Sequence, residues 1–371
     1  MDRSTRGELF ETGAKVTVEE IPLAVPDTLE EVLDPAWLSR ALGRRFPGVR
    51  VASVTPGPIV ARVSVNARFA VEYEGSVPPE LPANLCVKGY FSDCLETAAV
   101  ARRTGIPEVM FYRTLVAASG VRTLECVYAD IDPETQHGVV ITADVATDGA
   151  TFLDALSAYS ADQAAESLEQ YAILHGRSWG RAELTEPWLG PRLAGIMAGR
   201  GRPEITGNFG GPIGAGVPDD VRDPERLLRA AGDLVRQLES AEQRCLLHGD
   251  AHVGNLYLDM KGRPCLVDWQ LVQGAPWYLD VGYHLGCTLE PTERRRAEAD
   301  LLAHYLDRLR AEGVDPPSGD ELQRGIALGM VYGFYLWAIT LKVAPPVTTE
   351  MLRRLGSAVA DHDAFAATST A

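Results

Sequence analysis

The sequence lacks the glycine-rich loops by which many proteins hold phosphate groups. Neither Gly-x-Gly-x-x-Gly nor Gly-x-x-x-x-Gly-Lys-Ser/Thr occurs among its 371 residues, which excludes the two commonest sequence signatures of such a loop. A glycine run does occur at Gly207–Gly216, but glycines cradle phosphate only where they join a strand to a helix. We therefore expect the Gly/Pro-rich span 199–218 to be a mobile loop.

Basic residues, long apolar runs and paired cysteines are also scarce. Lys and Arg total 35 against 51 Asp and Glu, a net charge of −16, which disfavours nucleic acid as a partner because phosphate backbones are held mainly by basic residues. No apolar run reaches 18 residues and Met1–Gly7 has no apolar signal segment, so no membrane association is predicted. The six cysteines form no Cys-x-x-Cys pair, which is typical of reduced thiols in a cytoplasmic protein.

The order of periodic patterns predicts an α+β fold with two lobes. We expect an extension and a helix over 1–47, with the first thirty or so residues lying on the surface. A small antiparallel sheet is predicted over 48–145, because residues 63–73 alternate between apolar and polar. Strands at 49–55, 84–88, 121–129 and 137–143 would complete this sheet. A larger, mostly helical lobe is predicted over 146–371, where apolar residues recur at helical spacing.

A hairpin with a polar residue at the outer end of each strand is predicted near the centre of the second lobe. Residues 255–259 and 264–268 read as two strands around the turn 260–263. In a hairpin without a register shift, Asn255 and Asp268 would face each other with Cβ atoms about 5 Å apart. Amide and carboxylate oxygens are the hard ligands that Mg²⁺ prefers, so these two residues are the candidate metal ligands.

The residues just before this hairpin have the spacing of a phosphoryl-transfer site. Asp250 follows His248 and precedes Asn255 by four intervening residues, as in the catalytic loop of kinases, where the Asp positions the attacking hydroxyl. Gly249 and the sequence Asp268-Trp-Gln differ from the protein-kinase pattern. The segment resembles the aminoglycoside phosphotransferase and choline kinase superfamily (protein-kinase-like fold), and most closely its ecdysteroid-kinase-like (CHK kinase-like) branch. That branch carries His-Gly-Asp-x-His-x-x-Asn, Asp-Trp-Gln and a later Asp, here Asp280.

The resemblance implies a nucleotide site in the first lobe. Lys88, at the end of a strand, lies where these kinases place the lysine that pairs with ATP phosphates and a helix glutamate. Glu108, in Glu108-Val-Met-Phe-Tyr-Arg-Thr-Leu115, is the candidate partner, with Glu96 as second choice. In these kinases the linker between the lobes binds adenine through backbone groups, which predicts a role for Ala143 and Val145.

The implied function is ATP- and Mg²⁺-dependent phosphorylation of a hydroxyl group on a small molecule. Asp250 would be the catalytic residue, and His248 and Asp280 would brace its loop. His252 would either brace the loop or contact the acceptor. An aminoglycoside, a sterol, a polyketide or another alcohol would each suit the sequence, which identifies neither the acceptor nor the oligomeric state.

Two other functions are compatible with parts of the sequence. A catalytically silent, nucleotide-binding pseudokinase would keep the fold, and the poor phosphate loop favours it. A metal-dependent hydrolase could use His248, Asp250 and His252 as ligands, although such a site would need more closely spaced His or Asp residues. His175, on the apolar side of a predicted helix over 161–180, is expected to be a packed core residue.

Overall fold

The computed structural model describes residues 23–181, 184 and 186–369, which form two compact units. The first unit runs to Ala118 and includes Thr123–Ala150, and the second comprises Ser119–Arg122 and the chain from Thr151 onward. No helix in the described part of the chain combines the length and the apolar character that crossing a bilayer requires.

The first unit is built on a five-stranded antiparallel sheet with strand order β1-β2-β3-β5-β4. Its strands are β1 Val51–Ala61, β2 Val65–Tyr73, β3 Asn84–Gly89, β4 Cys126–Ile131 and β5 Gly138–Ala143. Its short helices are α1 Leu29–Val32, α2 Pro35–Gly43, α3 Ala98–Ala101, α4 Ile106–Met110 and α5 Val116–Ser119. The sheet buries one face, because residues alternate between its two faces and those at odd positions of β2 and β3 are apolar.

The helices α1 and α2 correct one expectation. Residues 23–33 were predicted to lie on the surface, but Leu29 and Val32 are buried, as are Trp37 and Leu38 of α2. These side chains belong to the same apolar core as the sheet. The Asp93 carboxylate fixes the start of α1 by accepting hydrogen bonds from the Leu29 amide at 3.0 and 3.1 Å. The predicted extension over residues 1–22 lies outside the described residues.

The first strand continues through a segment expected to end it. The strand was predicted over 49–55, yet β1 extends through Pro56-Gly57-Pro58 to Ala61 with a register shift between Pro56 and Ile59. Two features permit this course. β1 is an edge strand, where a proline without an amide hydrogen breaks no ladder on the open side, and a bulge absorbs the extra residues.

Two further features of the first unit concern the bounds of its elements. Residues 98–119 are helical throughout, across Gly105-Ile-Pro107. Pro107 lies in the first turn of α4, where the missing amide hydrogen would have no helical partner. The strand predicted at 121–129 begins only at Cys126, because the Arg122 carbonyl instead accepts a hydrogen bond from Leu266 of the second unit, to which residues 119–122 belong.

The second unit is mostly helical. Its helices are α6 Ala161–Ser178, α7 Leu193–Gly199, α8 Arg202–Gly210, α9 Pro224–Ser240, α10 Tyr278–Thr288, α11 Pro291–Ala311, α12 Gly319–Ala338, α13 Pro345–Asp361 and α14 Ala364–Thr368. Its short strands are β6 Thr151–Phe152, β7 Cys245–Leu247, β8 Leu256–Leu258, β9 Pro264–Leu266 and β10 Gln273–Ala275. They form a three-stranded sheet, β6-β8-β9, and the pair β10-β7. The predicted α+β fold class, with a small antiparallel sheet and a larger helical part, is thereby confirmed.

The Gly/Pro-rich span 199–218 is not the loop that we expected. It contains α8, whose first turn is closed by a hydrogen bond from the Gly201 amide to the Glu204 carboxylate at 2.8 Å. The ring of Phe209 stacks on Phe334 of α12 with centroids 5.5 Å apart. Composition favoured a loop, but burial of these apolar residues against α12 outweighs the cost of the glycines.

Candidate active site

The central hairpin has a register one residue away from the predicted one. Leu256 pairs with Leu266, and the Val267 amide donates to the Asn255 carbonyl at 3.0 Å, so Asn255 opposes Val267 rather than Asp268. The turn is shorter than predicted, because Gly262 adopts a left-handed conformation (φ +73°) that brings Asp259 and Arg263 into pairing. Asp268 follows the ladder in a left-handed conformation of its own, at φ +67°.

A fully buried carboxylate holds the start of the loop 248–255. Asp280, the third residue of α10, accepts hydrogen bonds from the amides of His248 and Gly249, both at 2.8 Å. His175 also contacts Asp280, with Nε2 3.2 Å from Oδ2, and its Nδ1 lies 2.9 Å from the Tyr305 hydroxyl. His175 is packed in the core as expected, but sequence reasoning missed its contact with Asp280. Only the helical spacing of His175 was visible in the sequence, and spacing does not show a contact 105 residues away.

Gly249 is the tightest point of this loop. Its φ is +81°, and a Cβ atom added there would lie 2.0 Å from the Leu271 carbonyl oxygen. The Gly249 carbonyl accepts a hydrogen bond from the Tyr332 hydroxyl at 2.7 Å, and Gln273 in turn donates to that hydroxyl at 3.2 Å. Both the conformation and the space therefore require glycine at this position.

Both ring nitrogens of His248 are engaged within the protein. Its Nε2 lies 2.8 Å from the Val267 carbonyl, and its Nδ1 accepts from the Asp250 amide at 3.3 Å. A carbonyl only accepts hydrogen bonds, so Nε2 carries the hydrogen. The ring also packs against Trp269, with centroids 4.7 Å apart. This arrangement leaves His248 no nitrogen for a metal ion, which is unfavourable for the hydrolase alternative.

Two further carbonyl groups of the loop accept hydrogen bonds from side chains. His284 donates from Nδ1 to the Ala251 carbonyl at 2.8 Å, and its Nε2 lies 2.6 Å from the Ser167 hydroxyl. Burial lowers the pKa of His284 to about 4, so this ring is neutral at neutral pH. Asn255 donates from Nδ2 to the Asp250 carbonyl at 2.9 Å. Side chains on α10 and α12 thus bond peptide groups of the loop, and His175 and Ser167 of α6 contact the α10 side chains that do so.

Asp250 lies in the middle of this loop with its carboxylate partly exposed, at 26%. Its Oδ1 accepts a hydrogen bond from the Tyr283 hydroxyl at 3.1 Å, and its Oδ2 lies 3.5 Å from His252 Nε2. Burial alone would raise the pKa of Asp250, but His252, His248 and the Tyr283 hydroxyl together hold it below its usual value. The carboxylate is therefore ionised at neutral pH and able to accept a hydrogen bond from a ligand.

The two predicted metal ligands offer oxygen atoms of the kind that a hard cation requires. The hydrogen bond from Asn255 Nδ2 to the loop orients its amide and leaves Oδ1 as the ligand atom. Asp268 supplies a carboxylate directly after the hairpin, on a half-buried residue. This donor set fits Mg²⁺, which typically takes few protein ligands. Within the described residues, no group of three or more His, Cys, Asp or Glu is arranged to hold a metal ion.

Within the first unit, Lys88 and Glu108 form an ion pair. Lys88 Nζ lies 2.6 Å from Glu108 Oε2, and the two side chains are only 16% and 7% exposed. Lys88 is on β3 and Glu108 is in α4, just before a π-helical turn at Phe111–Leu115. The second-choice partner, Glu96, is exposed.

The predicted linker lies at the end of β5. The Ala143 amide donates to the Glu125 carbonyl at 2.9 Å, and the Val145 carbonyl accepts from the Asp148 and Ala150 amides. The first unit therefore already uses one backbone group of each of the two predicted residues. These hydrogen bonds do not involve the Ala143 carbonyl or the Val145 amide.

The hairpin between β1 and β2 has few donors to offer. Pro56 and Pro58 have no amide hydrogen, and Ile59, Val60 and Val63 expose 51%, 49% and 43% of their surface. Two positions of this hairpin therefore cannot donate a backbone hydrogen bond of the kind that a glycine-rich phosphate loop provides.

Comparison with known proteins identifies the family to which the loop and hairpin are similar. Residues 151–322 match the model of the phosphotransferase enzyme family, APH. The matched span contains the loop 248–255, Asp268 and Asp280. The match supports the predicted phosphotransferase class and the predicted superfamily over this part of the chain.

Several solved structures show weaker likenesses. They include an aminoglycoside-3'-phosphotransferase of type VIII (17% identity, covering 79% of this chain and 97% of that one, TM-score 0.44). Amicoumacin kinase (14%, 83% and 88%, 0.48) and the choline kinase LicA from Streptococcus pneumoniae (14%, 84% and 94%, 0.42) are also similar. Likenesses of this size indicate neither a shared substrate nor a shared reaction. No curated protein matches the chain.

Proposed function

We propose that this protein transfers the γ-phosphoryl group of ATP to a hydroxyl group of a small molecule. The observation that carries this proposal is the placement of Asp250. Its carboxylate is partly exposed and ionised, on a loop whose peptide groups are bonded by buried side chains. Phosphoryl transfer depends mainly on positioning and charge stabilisation, and a rigidly held carboxylate suits that need.

In the proposed reaction, Asp250 orients the acceptor. Its carboxylate accepts a hydrogen bond from the acceptor hydroxyl, and that oxygen attacks the γ-phosphorus. The new P–O bond forms as the bond to the β-phosphate oxygen breaks, and the hydroxyl proton passes to the carboxylate. The Tyr283 hydroxyl keeps the carboxylate in place by donating to Oδ1. His252 limits the rotation of the carboxylate from the side of Oδ2.

Asn255 and Asp268 are the proposed Mg²⁺ ligands. When bound, Mg²⁺ would neutralise negative charge on the phosphates during transfer. Asn255 contributes through its amide oxygen, because its amide nitrogen is bonded to the Asp250 carbonyl. His248 and Asp280 act as supporting residues that hold the loop, since neither has a group directed at a substrate.

The proposed nucleotide contacts lie in the first unit. Lys88, held by Glu108, would pair with the α- and β-phosphates. We assign adenine recognition to the Ala143 carbonyl and the Val145 amide, because the other backbone group of each residue is already bonded. Side chains rather than a loop of amides would therefore supply most phosphate contacts. We also propose the functional division into an N-terminal segment 1–47, a nucleotide-binding part 48–145 and a catalytic and acceptor-binding part 146–371, with α1 and α2 of the first segment packed in the core of the nucleotide-binding part.

The acceptor is proposed as a small-molecule alcohol, with an aminoglycoside, a sterol and a polyketide as the candidates. The sequence His248-Gly-Asp-Ala-His-Val-Gly-Asn255 with Asp268-Trp-Gln supports the ecdysteroid-kinase-like branch. That branch points to no single acceptor, so a panel of alcohols is needed.

The experiment measures product formation from ATP and Mg²⁺ over such a panel, with nucleotide binding followed separately. The wild type is compared with Asp250→Ala and with Asp219→Ala, whose carboxylate is 89% exposed. We expect one acceptor to be phosphorylated, with a loss of about a thousandfold in Asp250→Ala and none in Asp219→Ala. Nucleotide binding should be retained in both variants.

Two results would contradict the proposal. If ATP binds but wild type and Asp250→Ala are equally inactive on every alcohol, the pseudokinase alternative is favoured. If ATP does not bind, the roles given to Lys88, Glu108, Ala143 and Val145 are wrong.

A further inference from the structure

We infer that the guanidinium group of Arg68 provides a stacking surface for the nucleotide base. This inference rests on the proposed function, since it assumes that the polar face of the first unit binds ATP. It adds a binding residue that lies on β2, outside every motif that the sequence analysis used.

The strand register arranges the polar face of the sheet in three rows. Asn66, Lys88 and Val140 form the first row, Arg68, Cys86 and Thr142 the second, and Ala70, Asn84 and Asp144 the third. Residues two apart on a strand point to the same face, so the side chains of these rows share one face. The other face is the apolar core.

The three rows run from the proposed phosphate-binding end of this face to the proposed base-binding end. Lys88, the proposed phosphate ligand, is in the first row, and the third row adjoins Ala143 and Val145, the proposed base-binding groups. Four residues of extended strand separate the first and third rows, a distance of about 13 Å. Arg68 lies between them.

The side chain of Arg68 leans towards the base end. Its Nε lies 3.4 Å from Asp144 Oδ1 in the third row, whereas Lys88 is in the first row. Asp144 is buried and also accepts from the Ala146 amide, so it is a fixed partner. The guanidinium is therefore held beside the proposed base-binding groups and away from the phosphates.

The backbone of Arg68 is fixed by the irregular part of β1. The register shift in β1 lies between Pro56, which pairs with Phe69, and Ile59, which pairs with Ala67. Gly57 therefore lies over Arg68, and a Cβ atom added to Gly57 would be 2.9 Å from the Arg68 carbonyl oxygen. Bulges of this kind commonly redirect a side chain next to a site.

The chemistry of this arrangement suits a flat aromatic ligand. The Arg68 side chain is 41% exposed, and its guanidinium is planar and can stack flat on an aromatic face, whereas a lysine ammonium has no plane to stack. A purine base bound at its edge by the Ala143 carbonyl and the Val145 amide would present its face to this group.

The test is calorimetric titration of the full-length protein with adenosine and with ATP. We expect Arg68→Ala to weaken both ligands by the same factor, about five- to tenfold. Arg68→Lys, which keeps the charge but not the plane, should lose nearly as much. Arg113→Ala is the matched control, because Arg113 is a 47% exposed arginine paired with Asp130 in the same unit. Lys88→Ala should weaken ATP and leave adenosine unchanged.

Three results would overturn the inference. If Arg68→Ala weakens ATP but not adenosine, Arg68 contacts phosphate. If Arg68→Ala binds both ligands like the wild type, its pairing with Asp144 is only a surface ion pair. If the wild type binds neither ligand, the proposed function fails together with this inference. Thermal unfolding of each variant shows whether a loss of binding reflects a loss of fold.

Discussion

The loop 248–255 and the hairpin between β1 and β2 are held in opposite ways. Amides and carbonyls of the loop are bonded by buried side chains such as Asp280, Tyr332 and His284. The hairpin is held by strand pairing alone at its tip, where Ile59 and Val60 are exposed. Substitutions beneath the loop should therefore reduce turnover and stability together. Substitutions of exposed residues on the polar face of the sheet, such as Arg68, should reduce nucleotide affinity and leave stability nearly unchanged.

The largest effect is expected at Gly249. Gly249→Ala should lower the free energy of unfolding by more than about 4 kcal/mol, because it combines a left-handed backbone with a Cβ 2.0 Å from the Leu271 carbonyl. Gly262→Ala is the matched control, with φ +73° and no atom within 4 Å of an added Cβ, and should cost about 1–2 kcal/mol. Denaturant unfolding measures both values, and equal values would show that the close contact is unimportant.

The next largest effect is expected at Asp280. Asp280→Asn removes the charge that accepts the His248 and Gly249 amides, so unfolding should become easier by about 2–3 kcal/mol. Turnover should fall at least about a hundredfold, since loop position controls the rate. Asp307→Asn, at a 73% exposed carboxylate, should change neither quantity. Full activity in Asp280→Asn would mean that the loop does not depend on this brace.

A smaller and different effect is expected at Lys88. Lys88→Met should weaken ATP binding about 10- to 100-fold, because it removes a hydrogen bond between the charged lysine and the phosphates, and the loss of such a bond corresponds to this change in affinity. It should also destabilise the first unit, because Glu108 is left buried without its cation. The double variant Lys88→Met/Glu108→Gln should recover stability and not ATP affinity. Recovery of both would assign the pair a purely structural role.

The smallest effect concerns pH and the ion pairs of the helices. Burial by itself would raise the pKa of Glu350, but hydrogen bonds and charge from Arg353 and Arg354 lower it to about 2. A carboxyl group with a lowered folded-state pKa stabilises the fold above its unfolded value and loses that contribution as the pH falls. Stability should therefore decline from about pH 4.5 to about 2.

Glu350→Gln tests this pH dependence. The variant should be less stable than the wild type at pH 7 by up to about 1 kcal/mol, and the difference should vanish near pH 2. Thermal unfolding at several pH values measures the difference. A difference that stays constant with pH would exclude titration of Glu350 as its cause.

The sequence allowed candidate site residues to be selected, but it did not allow the course of the backbone around them to be predicted. Asp250, Asn255 and Asp268 could be selected because their residue types and spacing are specific. The register of Asn255 was wrong because it depends on the left-handed conformation of Gly262, which spacing does not encode. The course of β1 through Pro56 was equally hidden, since it requires an edge position in the sheet.

Contacts between residues that are distant in sequence could not be predicted either. Asp280 was predicted as a brace from the resemblance, but its contact with His175 follows from how α6 packs in the second unit. Arg68 was not selected, because no motif marks it and its contact with Asp144 arises from pairing among β2, β3 and β5. Local composition also predicted a loop where α8 lies, because the stability of α8 comes from burial against α12.

Asn255 has a consequence for the thermodynamics of the proposed site. One end of its amide holds the Asp250 carbonyl, and the other end is the proposed ligand atom for the cation. Cation binding and the orientation of Asp250 are then linked equilibria, and the coupling free energy is the same in both directions. The factor by which an acceptor docked against Asp250 changes the affinity for the cation should therefore equal the factor by which the cation changes the affinity for the acceptor.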